Sequence, residues 1–353
     1  MILKKVQIEN FRNLSRVEIR PHPALNYFYG ANGAGKTSVL ESLVVLSRGR
    51  SFRTTQATEL IGPGSGTFRI FAQTETLSGA RHRLGLERSG KRWRGRKDGS
   101  DLSQISQLTR CLPLVLMEPD SHLLVSGSPE SRRKYIDWGM FHVEPGFLDT
   151  WRSFSRSLKQ RNAALRNKRA DMLDSLDAVL AQHAETLTLY RKRHCDSLAA
   201  NIQTMLDELN SGLPVISLGY QRGWSGGDYL EALRLNRARD RERGLTLSGP
   251  HRADLSLDCA QAPARAILSR GEQKVLAAAL LLTQAELLAT SGEKPVLLLD
   301  DLASEFDRFH FDSVLQRALA MGGQALVTGT REENLDRPGV VFHVEQGAVR
   351  EVV

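Results

Sequence analysis

Eight consecutive residues carry the clearest chemistry in this chain: Gly30-Ala31-Asn32-Gly33-Ala34-Gly35-Lys36-Thr37, spaced G-x-x-x-x-G-K-[ST]. Glycines at this spacing let successive backbone N–H groups turn inward onto phosphate oxygens. Lys36 then supplies a cation for the β- and γ-phosphates of ATP, and the Thr37 hydroxyl is placed to ligate Mg²⁺. A helix beginning directly after the loop would aim its positive N-terminus at the same anion. All eight residues are therefore expected to line an ATP site.

Two further segments could complete such a site. Pro295-Val296-Leu297-Leu298-Leu299-Asp300-Asp301 reads as a buried strand ending in two acids. In phosphate-loop ATPases the first acid of such a strand helps hold Mg²⁺, which is the role expected for Asp300. Asp301 is then positioned to orient or deprotonate the attacking water, the alternative being a plain turn carboxylate or helix cap. Ser269-Arg270-Gly271-Glu272 has the S-x-x-E spacing of a capping box, which by itself explains the residues structurally. An exposed helix start containing Ser269 and Gly271 is also an anion site.

These residues need strands and helices behind them. Val6 and Ile8 alternate with polar residues over Ile2–Asn10, as in a half-buried strand. Leu25–Tyr29 reads as a strand running into the glycine loop, and Lys36–Arg48 carries apolar residues at helical spacing. Leu112–Met117 reads as a short buried strand ending at Pro119. From about Pro129 to Asn210 glycine and proline are scarce and Leu, Ala, Arg and Gln abundant, so helices are expected. The pattern gives three parts: an α/β lobe with the phosphate loop over 1–128, a helical subdomain over 129–244, and a return to the ATPase core over 245–353.

Composition sets the broad class. The 353 residues include 41% hydrophobic and 25% charged side chains, enough to bury a sizeable core, and the formal net charge is +8. A basic balance points to a polyanion such as nucleic acid. Cys111, Cys195 and Cys259 are far apart, which favours neither a zinc site nor a disulfide framework. The N-terminus turns polar too early for a signal peptide, and the apolar run Val275–Leu282 is too short to span a bilayer. A soluble, cytoplasmic protein with no membrane partner is expected.

The order of motifs resembles the ABC-type ATPases, particularly the DNA-repair branch that includes the SMC-type heads. On that resemblance Ser269 and Gly271 belong to a signature motif that touches the γ-phosphate held by a second copy. Ser304–Asp307 would be the D-loop. Further segments are similar to the RecF family: Ile8-Glu9-Asn10-Phe11-Arg12-Asn13, Gly127-Ser128-Pro129-Glu130-Ser131-Arg132-Arg133, and Gly249-Pro250-His251-Arg252-Ala253-Asp254. Arg12 is carried over as a nucleotide-binding residue. The chain departs from the wider ABC pattern in having Asp301 for Glu, Phe306 for Leu and Thr328 for the switch histidine; Glu118 and Gln56 are the candidates for the Q-loop.

The resemblance implies an α/β ABC-type ATPase head with an inserted helical subdomain. It implies a weak ATPase that dimerises around two ATP molecules, clasps DNA and releases it on hydrolysis. It implies action at single-stranded gaps and duplex junctions, with RecO and RecR, to help load the RecA recombinase. The competing function is the ATPase subunit of a membrane transporter, which shares the motifs but needs no DNA.

Two basic stretches could meet DNA. Arg152 to Arg169 holds seven Lys or Arg residues and no acid, and Arg81–Lys97 holds eight with one acid. Arg152, Arg156 and Lys159 share a helix face by spacing, and Arg132, Arg133 and Arg161 complete the expected DNA set. With no base-reading motif visible, backbone contact with little sequence preference is expected. A first prediction concerns Lys36, the main cation on the terminal phosphates. Lys36→Met is expected to abolish tight ATP binding, and a nucleotide titration with unchanged affinity would contradict the assignment.

Overall fold

Short runs, apolar but for Thr328, build the sheet beneath the phosphate loop. Val296–Leu299, Ala325–Gly329 and Leu114–Met117 are buried at every position. Continuous runs of this kind belong in a parallel sheet covered on both faces, whereas a half-solvated strand would alternate. The computed structural model, which describes residues 1–292, 294–332 and 338–352, shows such a sheet. Its order is Ala348–Val352, Gly339–Glu345, Leu25–Tyr29, Ala325–Gly329, Val296–Leu299, Leu114–Met117. All neighbours are parallel except the first pair. Leu25–Tyr29 therefore lies between two strands from the far end of the chain, and the phosphate loop leaves its C-terminal end. The loop feeds the helix Lys36–Arg48, whose Val39, Leu40, Leu43 and Val44 are buried.

A second, antiparallel sheet shares this core. It runs Leu14–Ile19, Ile2–Phe11, Thr67–Glu75, Arg81–Ser89, Arg92–Lys97, Ser100–Asp101. Phe68, Ile70, Ala72, Leu84 and Leu86 point inward and arginines alternate with them outward. Phe11 meets Phe68 edge-on at 5.2 Å, and Phe28 stacks on Phe342 at 4.8 Å. These elements form one compact unit, Met1–Ser121 with Glu208–Ser211 and Ala278–Val353.

The other unit is His122–Asp207 with Gly212–Ala277. It holds the helices Pro129–Val143, Phe147–Arg166 and Tyr229–Arg243 and most of Leu173–Glu208. A three-stranded sheet of Ile216–Gln221, Asp254–Cys259 and Ala262–Pro263 completes it. The expected return to the ATPase core at 245 thus comes later, at Ala278. The Gly249–Asp254 segment and Ser269–Glu272 fall in the helical unit instead.

Ion pairs lock this second unit. Arg161 is completely buried and donates to Asp177 at 2.6 Å, Asp240 at 2.7 Å and Thr246 at 2.8 Å. Arg132 forks onto Asp254 at 2.8 and 2.9 Å. Arg133 donates to the Ala253 carbonyl at 2.7 Å, and Arg191 joins Asp137 to the Pro250 carbonyl. These contacts correct the expected DNA set. Arg161 and Arg132 are sealed against acids and unavailable to a phosphate, and Arg133 is half-buried with an N–H already engaged. Their partners lie up to 122 residues away in sequence, so local charge could not reveal the pairing. The Gly127–Arg133 and Gly249–Asp254 segments are, in these contacts, two halves of one structural clasp.

Removing the Arg161 cation leaves the buried Asp240 without a charged partner among the described residues and Asp177 with Arg237 alone. Arg161→Met should therefore cost about 3–5 kcal/mol. The loss is read as a lower urea midpoint at constant slope; an unmoved midpoint would contradict it.

Candidate nucleotide-binding site

The loop's shape is enforced by close approach. Gly30 has φ +155°, and a Cβ there would lie 2.1 Å from the Val344 carbonyl oxygen. Gly35, at φ +120°, would drive a Cβ against Asn13 at 3.0 Å. Asn13 clamps the loop: its Nδ2 donates to the Gly33 carbonyl at 3.2 Å, and its Oδ1 accepts from Ser38 at 2.9 Å. Lys36 is 7% exposed, and its ammonium donates to the carbonyls of Gly30 at 2.7 Å and Ala31 at 3.0 Å. Burial lowers its pKa, and the carboxylates of Asp301 and Asp300 oppose that shift.

Across from Lys36 the two acids are held by hydroxyls. Thr37 donates to Asp300 Oδ1 at 3.0 Å, and Thr328 donates to the same oxygen at 2.8 Å. Thr328 also accepts from the Asp301 N–H at 2.8 Å. Burial raises the Asp300 pKa, while the two hydroxyls pull it back. Asp301 takes a left-handed conformation at φ +50°, and its Oδ1 is buried with no partner among the described residues. An orphaned buried carboxylate oxygen calls for water, a cation or a ligand. The Thr37–Asp300 pair, the glycine cradle and this oxygen fit Mg²⁺ and ATP: Thr37 and Asp300 would hold the ion.

The cleft has a volume of about 490 Å³. Arg12, Asn13, Lys36, Thr37, Arg53 and Asp301 are among the residues that line it. Arg12, expected here, has φ +54° and forks onto the fully buried Glu41 at 2.7 and 3.0 Å. Glu41 also accepts from Ser51 and Arg53, so the rim is tied by one buried acid. Arg53 carries no motif signal, and Asn13 closes the Ile8–Asn13 segment without having been assigned a role. Its place in that segment, directly after Arg12, was the signal that could have found it.

Glu118 stands beside Asp300. The strand Leu114–Met117 pairs with Val296–Leu299, and the Asp300 N–H donates to the Met117 carbonyl at 2.8 Å. Burial, then the charges of Asp120 and Asp300, push the Glu118 pKa up to about 7, against the pull of Arg48. Gln56 is exposed and lies outside the residues lining the cleft.

In the second unit, Ser269 and Glu272 form the expected capping box: the Ser269 N–H donates to Glu272 at 2.7 Å, and the Glu272 N–H to Ser269 Oγ at 3.4 Å. The helix Arg270–Thr290 follows. A Cβ on Gly271 would meet nothing within 4 Å, so packing does not require glycine there. Asp307 caps the helix Arg308–Ala320 by accepting from the His310 N–H at 2.9 Å. Of the expected DNA residues, Arg156 and Lys159 are exposed, and Arg152 is half-exposed with Asp149 at 3.8 Å.

A parallel sheet with the phosphate loop on its central strand and an acid pair on the strand two places away defines a phosphate-loop ATPase head. The family model described as RecF/RecN/SMC N terminal domain matches residues 2–350. A curated relative from Xanthomonas axonopodis pv. citri, described as DNA replication and repair protein RecF, is 42% identical over 99% of this chain and 98% of its own. One from Stenotrophomonas maltophilia with the same description is 43% identical over 94% and 93%. The chain belongs to the RecF family of DNA replication and repair proteins. Its fold matches a solved structure of "the recombination mediator protein RecF-ATP in RecFOR pathway", with TM-score 0.90 and 24% identity over 100% of this chain and 98% of that one. An Smc head bound to the C-winged helix domain of ScpA matches at TM-score 0.62 and 14% identity, over 100% and 97%.

Glu118 generates a pH prediction. Its folded pKa of about 7 exceeds the ordinary 4.5, so between those values the folded state holds a proton that the unfolded chain has released. Nucleotide-free stability therefore falls on this account as pH rises through that window. Glu118→Gln removes the fall, so its melting temperature should gain on wild type from pH 4.5 to 7. Parallel melting curves across the window would contradict this.

Proposed function

We propose that this chain is an ATP-switched DNA clasp of recombinational repair and replication. Two copies would close head to head on two ATP molecules, each copy's Ser269 and Gly271 completing the cleft of the other. The observation that carries this reading is the exposed helix start at Gly271, capped only by its own Ser269 and Glu272. It is exposed and free of packing, while the cleft around Lys36 lies in a separate compact unit. A two-fold pair makes such a contact reciprocal.

The chain's own residues divide the work. Gly30, Gly33 and Gly35 open the loop so that the N–H groups of residues 30–37, among them those of Ala31, Asn32 and Ala34, can surround phosphate oxygens. Lys36 turns its ammonium from the loop carbonyls to the β- and γ-phosphates. Thr37 and Asp300 hold Mg²⁺, which supplies charge neutralisation on those phosphates when bound. Asp301 accepts a proton from, or aligns, the attacking water through its unpartnered Oδ1, and Thr328 fixes its backbone. Arg12 and Arg53 frame the mouth of the cleft.

Closure brings the outward cations of two copies onto one DNA molecule, with Arg152, Arg156 and Lys159 meeting phosphates. Weak hydrolysis then sets how long the clasp persists. The RecF family points to gaps and duplex junctions as targets, to RecO and RecR as partners, and to help in loading RecA. It also points to the cytoplasm, and among the described residues no helix is long and apolar enough to cross a membrane.

A mixing experiment tests the shared site. Lys36→Met and Ser269→Arg proteins should each be nearly inactive alone. Mixed, they form a dimer with one site that joins an intact Lys36 to an intact Ser269, and ATPase activity should partly return. If mixing restores nothing and light scattering gives one mass with ADP and ATP alike, Ser269 is a helix cap and the reading fails.

A further inference from the structure

The helical unit contains a second cavity, of about 820 Å³, that the nucleotide chemistry does not use. Its lining includes Lys192, Arg222, Trp224, Asn236, Ser248 and Arg252, and no lining residue is acidic. Two turns frame it. The Gly249 N–H donates to the Gly223 carbonyl at 2.8 Å. Gly223 has φ +91°, and a Cβ there would sit 2.3 Å from the Gly249 carbonyl oxygen. The turns thus approach more closely than any side chain would permit, which holds the donors between them in fixed places.

Two of those donors have no acceptor among the described residues. Trp224 is 8% exposed and its indole Nε1–H has no partner among the described residues. Ser248 Oγ is likewise buried without one. The Arg222 guanidinium lies 4.8 Å over the Trp224 ring and is tethered to the Trp224 and Gly226 carbonyls, so its charge is fixed at the wall. Arg252 is exposed, and no side-chain partner of it occurs among the described residues. Lys192 adds a cation already paired with Asp196 at 2.7 Å. Buried N–H and O–H groups without acceptors are costly and call for a ligand that accepts.

We propose that this cavity is a phosphate subsite that seats a phosphodiester of a DNA strand, an inference that rests on the DNA-binding reading above. The donor set favours phosphate. A guanidinium, an indole N–H and a hydroxyl converging from two facing turns suit an ionised, tetrahedral acceptor better than a planar carboxylate. The volume leaves room for the sugar and base attached to that phosphate. In this arrangement Arg252 is the cation of the Gly249–Asp254 segment that faces outward, while Arg132 takes up Asp254 beneath it. The segment therefore has a structural half and a binding half.

The test uses the full chain with ATP and Mg²⁺, and a labelled gapped duplex titrated over a salt series. Arg252→Gln should weaken binding five- to ten-fold at low salt and reduce the slope of log affinity against log salt by about one. Arg252→Lys should keep the slope. Affinity for ATP should be the same in all three proteins. Separately, without nucleotide, inorganic phosphate should change the tryptophan emission of wild type and leave that of Trp224→Phe unmoved. If wild type binds the duplex and Arg252→Gln matches it in affinity and slope, the subsite is overturned while the DNA reading stands. If wild type binds no DNA, the DNA reading falls and the strand is excluded as the source. Should phosphate still move Trp224 emission in that case, the cavity is a site for free phosphate instead.

Discussion

One carboxylate oxygen, Asp300 Oδ1, ties the nucleotide site together. It accepts from Thr37 at the start of the loop helix and from Thr328 at the end of the strand Ala325–Gly329. Asp300 itself ends the strand Val296–Leu299. Three elements therefore meet at one atom, and they meet only if their strands are in register: Leu299 opposite Val327, and Thr328 opposite Phe28. In a parallel sheet register is secured by buried apolar side chains on both faces. The leucines and valines of these strands thus set the geometry of a polar site they never touch.

The second unit uses a different material for the same end. Its helices are rich in charge, and its fixed points are arginines sealed against aspartates. Such pairs give little net stability over apolar packing, but breaking one is costly, so they favour a single arrangement of the segments that carry them. The clasp of Arg132 with Asp254 and Arg191 with Pro250 and Asp137 places the turn holding Arg252. Rigidity here serves position, as the apolar register does in the ATPase unit.

Much of this was legible in the chain. The loop, its helix over Lys36–Arg48, the acid-ended strand and the capping box are each encoded within a few residues, and local spacing is what sequence displays best. The helical middle was legible from scarce glycine and proline. Three things were not. Arg161 and Arg132 looked like surface charge because their partners lie far along the chain. Glu118 was a Q-loop candidate, but its burial beside Asp300 and its raised pKa showed only once the strand before it was paired with the strand of Asp300. The third is the choice of Asp301 where the wider pattern has Glu. Its φ of +50° is a conformation that Asp tolerates through its short polar side chain, whereas longer residues incur roughly 1–2 kcal/mol. A backbone angle, which sequence does not display, favours the shorter acid at this position.

The order in which the sheet is filled has a consequence for synthesis. Leu25–Tyr29 needs Ala325–Gly329 on one side and Gly339–Glu345 on the other, and Leu3 is hydrogen-bonded in both directions by Gln324. At a ribosomal pace of about 5–20 residues per second, the first strands wait on the order of 15–60 s for neighbours some 300 residues downstream. Throughout that interval Phe28 has no Phe342 to stack on, while the segments of the helical unit have all emerged by residue 277. The nascent chain should thus carry a finished helical unit and an exposed apolar strand side by side, a natural client for a chaperone that shields hydrophobic surface until translation ends.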